Sequence, residues 1–128
     1  MKETRDVLEF HAHVGIEVPT EPTVLSDPDF YLCVSLIDEE FGEFLKAWGS
    51  GDFAGQVHEL IDLLYVTHGA LVRMGVLQTQ ELWDEVHEQN MTKKGGAIDA
   101  RGKYIKTSDF VPADITGVLR RIYGKCPD

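Results

Sequence analysis

Apolar residues recur at alternating steps of four and three along two long stretches of the chain, a period typical of amphipathic α-helices. The first stretch, residues 30–48, ends at a Gly-Ser-Gly group, and the second, residues 53–72, ends shortly before Gly75. The pattern predicts two long helices whose main apolar stripes pack into the core. The predicted core positions are Phe30, Val34, Ile37, Phe41, Phe44 and Trp48 on the first helix, and Phe53, Val57, Leu60, Ile61, Leu64, His68, Leu71 and Val72 on the second.

Three shorter helices complete the predicted set, at about residues 4–14, 79–91 and 113–123. Asp27 is expected to cap the first long helix with Pro28 at its first position, because an N-cap side chain accepts a backbone N–H and proline has none to offer. No stretch shows a convincing period of two, which strands would require. The sequence therefore predicts an all-α fold.

The length of 128 residues suits one domain, and 43% hydrophobic residues with 27% charged ones predict a packed globular core. The two cysteines give no disulfide framework. The first residues lack the apolar core of a signal peptide, and no run approaches the ~20 apolar residues that cross a bilayer. We expect a single domain over residues 1–128 in a cytoplasmic protein.

Charge is distributed unevenly along the chain. The formal net charge is -10, but residues 1–92 hold 4 basic and 18 acidic side chains, whereas residues 93–128 hold 8 basic and 4 acidic ones. Binding to nucleic acid polymers or anionic membranes rests on clustered basic residues, so the acidic balance argues against both as partners. The basic part includes a glycine-containing loop predicted over residues 93–112.

Each long helix carries a pair of carboxylates three residues apart, and such a pair lies on one helix face. Glu40 and Glu43 form the first pair, and Glu59 and Asp62 form the second. These carboxylates could lie on solvated faces of amphipathic helices. However, each pair shares its face with apolar residues that form a second apolar surface, so we expect another subunit or a ligand to cover it. The apolar neighbours are Leu32, Cys33, Leu36 and Ala47 on the first helix, and Leu63, Val66 and Ala70 on the second.

Several ionised carboxylates on a covered surface need a counter-charge. Lys46 is the only Lys or Arg between Asp38 and Asp62, so the chain itself cannot neutralise them. A hard divalent cation prefers oxygen ligands and tolerates several carboxylates. Because Mg²⁺ held in this way usually keeps positions for water and substrate phosphates, the pattern predicts Mg²⁺ and phosphoryl chemistry.

The basic loop offers a complement to such a site. Its side chains could fold over a polyphosphate, although they could equally be ordinary surface residues. They are Lys93, Lys94, Arg101, Lys103 and Lys106.

The carboxylates form a paired motif, Glu-Glu-x-x-Glu at residues 39–43 and Glu-x-x-Asp at residues 59–62. Together with segments at residues 10–11, 86–93 and 102–106, this motif resembles the all-α nucleoside triphosphate pyrophosphohydrolases. The likeness is closest to the branch that contains MazG and phosphoribosyl-ATP pyrophosphohydrolase. This resemblance implies a MazG-like helical bundle completed by oligomerisation as a homodimer or homotetramer.

The resemblance also implies an activity, the Mg²⁺-dependent hydrolysis of a nucleoside or deoxynucleoside triphosphate between its α and β phosphates, with Mn²⁺ as an alternative metal. The products are the monophosphate and pyrophosphate. Glu39 is implied to orient or deprotonate the attacking water. The implied metal ligands are Glu40, Glu43, Glu59 and Asp62, and the implied substrate ligands are Asn90, Lys93, Lys103 and Lys106.

Two alternatives remain open. The substrate could be phosphoribosyl-ATP, which keeps the chemistry, or the protein could be a non-catalytic helical protein whose acidic face binds a cation or a basic partner. Zinc is not expected, because the five histidines form neither an HExxH motif nor a Cys/His cluster.

Overall fold

A computed structural model of the chain describes residues 1–93 and 96–127. Lys94, which belongs to the predicted basic loop, lies outside the described residues. The elements in chain order are α1 (Lys2–His13), α2 (Asp27–Gly49), α3 (Phe53–Arg73), α4 (Gln80–Met91), β1 (Ala97–Ile98), β2 (Tyr104–Ile105) and α5 (Ile115–Tyr123). The predicted all-α fold is confirmed, and each predicted helix is present within a few residues of its expected bounds.

The chain forms two compact units, one of Met1–Leu77 with Pro127 and one of Gln78–Cys126. The first contains α1, α2 and α3, and the second contains the remaining elements. A single domain over residues 1–128 stays a prediction. Across residues 1–93 and 96–127, no helix combines the length and the apolar character needed to span a bilayer.

Side-chain caps fix where several of the helices begin. The backbone N–H of Asp29 donates to Oγ of Ser26 at 3.3 Å, so Ser26 is the N-cap of α2 and the predicted cap, Asp27, is its first helical residue. Both residue types are good caps, and the sequence did not distinguish them. Asp52 caps α3 by accepting from the N–H of Gly55 at 2.9 Å.

The face that packs α2 against α3 is opposite to the predicted one. Cys33, on the carboxylate side of α2, is only 5% exposed, whereas Trp48 and Phe53 on the predicted core stripes are 71% and 76% exposed. Asp29 on the same side of α2 pairs with Arg73 of α3, with Oδ1 and Nη1 3.0 Å apart. The prediction that the main stripes form the core was therefore wrong for most of their length, although Val72 is buried.

Small residues explain this choice of interface. Ala47 lies so close to Gly55 that a Cβ added to the glycine would be 3.3 Å from the alanine Cβ. Small side chains let two helix axes approach closely, which large aromatic residues such as Phe41 and Trp48 would prevent. The carboxylates of both helices therefore face each other within one chain, and the large apolar stripes are left exposed. The exposed members are Phe30, Val34, Phe41, Trp48, Phe53, Val57, Leu60, Ile61 and Leu64.

Helix α1 and the proline-rich link of residues 18–23 hold the first unit together at α3. Thr4 of α1 is buried, and its Oγ1 lies 3.1 Å from Nδ1 of His68 on α3. The link then crosses the end of α3, where the N–H of Thr23 donates to the carbonyl oxygen of Met74 at 2.9 Å. The next residue, Gly75, is buried and has a φ of +71°.

The second unit contains a feature that the sequence analysis did not predict. Strands β1 and β2 form an antiparallel ribbon that pairs Ala97 with Ile105 and Ile98 with Tyr104. Asp99 closes its turn, because its Oδ1 accepts from the backbone N–H groups of Arg101 and Lys103 at 2.9 Å each. Strands of two residues are too short to show a period of two, which explains why the pattern missed them.

Candidate metal and nucleotide site

The carboxylates of α2 and α3 meet in the first unit. Glu40 of α2 makes a side-chain hydrogen bond with Glu59 of α3, and Asp62 is close enough to act on Glu40 electrostatically. One oxygen or nitrogen ligand atom from each of His58, Glu59 and Asp62 lies within 4.8 Å of the others. Three of the four predicted metal ligands therefore surround one place between the helices.

Glu40 shows the effect of this crowding. Its hydrogen bond with Glu59, its partial burial and the negative charges of Asp62, Glu59 and Glu39 raise its pKa from 4.5 to about 7. A hydrogen bond between two carboxyl groups requires a proton on one of them. Near neutral pH, the metal-free site is therefore close to the point at which Glu40 loses its proton.

The raised pKa of Glu40 predicts that the metal-free protein becomes more stable as the pH falls from about 8 to about 5. The folded protein holds this proton up to about pH 7, whereas an unperturbed Glu loses it near 4.5. The contribution is therefore full below about 4.5 and is lost as the pH rises through about 7. Urea denaturation in EDTA at several pH values measures this trend. Glu40→Gln should flatten it, and an unchanged slope in this variant would contradict the assignment.

The other two residues of the first motif are less enclosed. Glu43 is half-buried, and its Oε1 lies 3.2 Å from Nζ of Lys46 one turn later. Glu39 is exposed, and its charge contributes to the raised pKa of Glu40. Lys46 partly neutralises the charge of Glu43. The mutual repulsion of carboxylates that a cation would relieve is therefore concentrated at Glu40, Glu59 and Asp62.

The residues present fit a divalent cation. Carboxylate oxygens are the ligands that hard cations prefer, and a cation between them would replace the proton that Glu40 otherwise shares with Glu59. Lys46, the only Lys or Arg between the two motifs, pairs with Glu43. The carboxylate oxygens and their close spacing therefore fit the divalent cation that the sequence predicts.

His58 is a member of this cluster that the sequence analysis missed. Its Nε2 lies 3.1 Å from Oδ2 of Asp62, and its side chain is 70% exposed. The signal was present in the sequence, because residues four apart on a helix are neighbours and His58 stands four residues before Asp62. Zinc motifs contain at least two histidines or cysteines at fixed spacing, and a single histidine beside a carboxylate motif matches none of them.

The predicted substrate ligands lie in the second unit. Nζ of Lys93 and Nζ of Lys106 lie 5.2 Å and 5.3 Å from the centroid of the Phe110 ring, so both ammonium groups contact the same aromatic side chain. Asn90 is exposed near the end of α4, and Lys103 is exposed at the turn of the ribbon. Their roles as substrate ligands stay predictions.

A helical fold with paired carboxylates on adjacent helices is what the resemblance to the all-α pyrophosphohydrolases implied. The family model for phosphoribosyl-ATP pyrophosphohydrolase matches residues 7–90, and the chain belongs to this family. The match includes both carboxylate motifs and ends at Asn90. No curated protein matches the sequence.

Membership confirms the predicted relationship and establishes the general kind of protein, a hydrolase of the pyrophosphohydrolase type. The family suggests a nucleotide substrate, and its enzymes generally depend on Mg²⁺. The match does not favour a nucleoside triphosphate over phosphoribosyl-ATP.

Proposed function

We propose that the protein hydrolyses a nucleoside or deoxynucleoside triphosphate between its α and β phosphates, in a Mg²⁺-dependent reaction that gives the monophosphate and pyrophosphate. The observation that carries this proposal is the convergence of Glu40, Glu59 and Asp62 from two helices, with the pKa of Glu40 raised to about 7 by its neighbours. Crowded carboxylates of this kind suit a cation that also binds phosphate oxygens.

The chain's own residues can be assigned roles in this proposal. Glu40, Glu43, Glu59 and Asp62 hold the cation, and bound Mg²⁺ would neutralise phosphate charge and lower the pKa of a water molecule. Glu39 orients the attacking water and accepts its proton, because it is exposed and adjacent to the cluster without belonging to its hydrogen-bonded pair.

The basic residues of the second unit are assigned to the substrate. Lys93, Lys103 and Lys106 bind phosphate oxygens as point charges, and Asn90 contacts the base or sugar through its amide. The contact of both Lys93 and Lys106 with the Phe110 ring supports the assignment, because two positive charges in one region favour a multiply charged anion.

A panel of nucleoside and deoxynucleoside triphosphates and phosphoribosyl-ATP, each with Mg²⁺, tests the proposal. We expect pyrophosphate and a monophosphate from at least one triphosphate. Release of orthophosphate would refute the position of cleavage, and turnover of phosphoribosyl-ATP alone would establish the family's named activity instead. If no compound is turned over, the non-catalytic acidic binding protein becomes the better description.

We also propose that the protein is a homodimer or homotetramer and that it is cytoplasmic. The large apolar stripes on α2 and α3 are exposed in the single chain, and apolar surfaces of this extent usually mark an interface. Self-association would bury them, and the carboxylates do not need a partner subunit to cover them because α2 and α3 already face each other.

Light scattering measures the mass of the assembly directly. Trp48→Glu and Phe53→Glu place a charge on the exposed stripe, so we expect each variant to shift the protein towards the 14.4 kDa monomer. Trp83→Glu is the matched control, because Trp83 is 57% exposed on α4 in the other unit. A monomeric wild type would contradict the proposal.

A further inference from the structure

His58 lies at the edge of the carboxylate cluster, where it contacts Asp62 from an exposed position. Its Nε2 lies 3.1 Å from Oδ2 of Asp62, and the side chain is 70% exposed. One ligand atom of His58 lies within 4.8 Å of those of both Glu59 and Asp62. The ring therefore places a nitrogen donor within the reach of a site that is otherwise built from oxygen.

We infer that His58 is an additional ligand of the metal and gives this site a preference for a first-row transition ion such as Mn²⁺ over Mg²⁺. The inference rests on the proposed metal site and concerns which ion that site selects. Mg²⁺ takes oxygen ligands almost exclusively, whereas imidazole nitrogen binds divalent transition ions readily. One nitrogen among several carboxylates therefore favours the transition ion.

The arrangement allows the ring to change partner at little cost. A contact between side chains as exposed as these contributes little to stability. A cation held by Glu59 and Asp62 would displace His58 from Asp62, and the imidazole is close enough to bind the cation itself. The exposed contact of His58 with Asp62 is therefore weak, and a transition ion would offer the ring nitrogen a stronger partner.

The position of His58 on its helix supports the same conclusion. His58, Glu59 and Asp62 lie within about one turn of α3, which begins at the Asp52 cap, so the three side chains share a rigid backbone. Ligands on one helix need little reorganisation to converge, and sites on rigid elements hold their geometry better than sites on loops.

Calorimetric titration and pulsed electron paramagnetic resonance of the Mn²⁺-loaded full chain test the inference. In the wild type we expect ¹⁴N modulation from a coordinated imidazole and tighter binding of Mn²⁺ than of Mg²⁺. His58→Gln should abolish the modulation and weaken Mn²⁺ binding by about tenfold, with little change for Mg²⁺. His87→Gln is the matched control, because His87 is exposed on α4 in the other unit.

The outcomes separate this inference from the proposed function. Absence of ¹⁴N modulation in a wild type that binds Mn²⁺ would overturn the role of His58 and leave the carboxylate site in place. Equal loss of affinity for both ions in His58→Gln would also overturn it, because it would show a general effect on the cluster. A wild type that binds neither ion would instead refute the proposed metal site. Circular dichroism of each variant checks that α3 remains folded.

Discussion

Glu59→Gln should lower pyrophosphohydrolase activity by at least about 100-fold, measured as kcat/KM for the best substrate of the nucleotide panel. Glu59 links the carboxylates of α2 to those of α3. Its side chain makes a hydrogen bond with Glu40 on α2 and lies beside Asp62 on its own helix. A neutral amide is a much weaker ligand for a hard cation than a carboxylate. The same variant should therefore lose most of its Mg²⁺ affinity in a calorimetric titration.

The effect of Glu59→Gln on stability should have the opposite sign. In the metal-free wild type at pH 8, ionised Glu40 and Glu59 repel each other, whereas the amide of Gln would donate a hydrogen bond to Glu40. Urea denaturation in EDTA should find the variant at least as stable as the wild type. A loss of both activity and metal-free stability would show that Glu59 has a structural role instead. Glu17→Gln, at an exposed site, is the control for loss of one charge.

The carboxylate motifs could be predicted from the sequence because their spacing is a local property. Residues three apart on a helix share a face whatever the helix packs against, so the pair Glu59 and Asp62 needed only the presence of α3. The helix ends were predictable for a similar reason, since the Gly-Ser-Gly group and Gly75 mark the ends of α2 and α3 by their own conformational preferences.

The packing of α2 against α3 could not be predicted in the same way. Each helix has two apolar surfaces. Hydrophobic periodicity is stronger for the surface with the larger apolar residues, so it predicted that the stripes with Trp48 and Phe53 form the core. The chain instead uses the surface with smaller residues, such as Cys33 and Ala47, because it allows the helices to approach and brings the carboxylates together. Hydrophobic periodicity does not report how closely two helix axes can approach, and that closeness decides which surface packs inside the chain.

His58 and the ribbon of the second unit show two further limits. His58 became visible only when the distance from its ring to Asp62 was known, because a lone histidine has no motif of its own. The ribbon depends on Asp99, whose carboxylate binds two backbone N–H groups of its turn. Those hydrogen bonds, with that to the N–H of Lys103 foremost, lower the pKa of Asp99, and no hydrophobic pattern reports them.

Gly75→Ala should lower the free energy of unfolding by about 3 kcal/mol or more. A Cβ on Gly75 would lie 2.0 Å from the carbonyl oxygen of Glu21 and 3.1 Å from the Cβ of Pro19. These contacts are with the backbone and the ring of the proline-rich link, so no flexible side chain can move aside. The residue also has a φ of +71°, which alanine adopts only with strain.

Gly15→Ala separates the two causes of this loss. Gly15 ends α1 with a φ of +78°, but a Cβ there would meet nothing within 4 Å. Its substitution should therefore cost only the backbone term of about 1 kcal/mol, and the difference between the two variants in urea denaturation measures the contact of the link with α3. Equal losses would mean that the link does not press on Gly75 in solution. A larger loss for Gly75→Ala would show that the link, anchored by the hydrogen bond from Thr23 to Met74, is a structural part of the first unit.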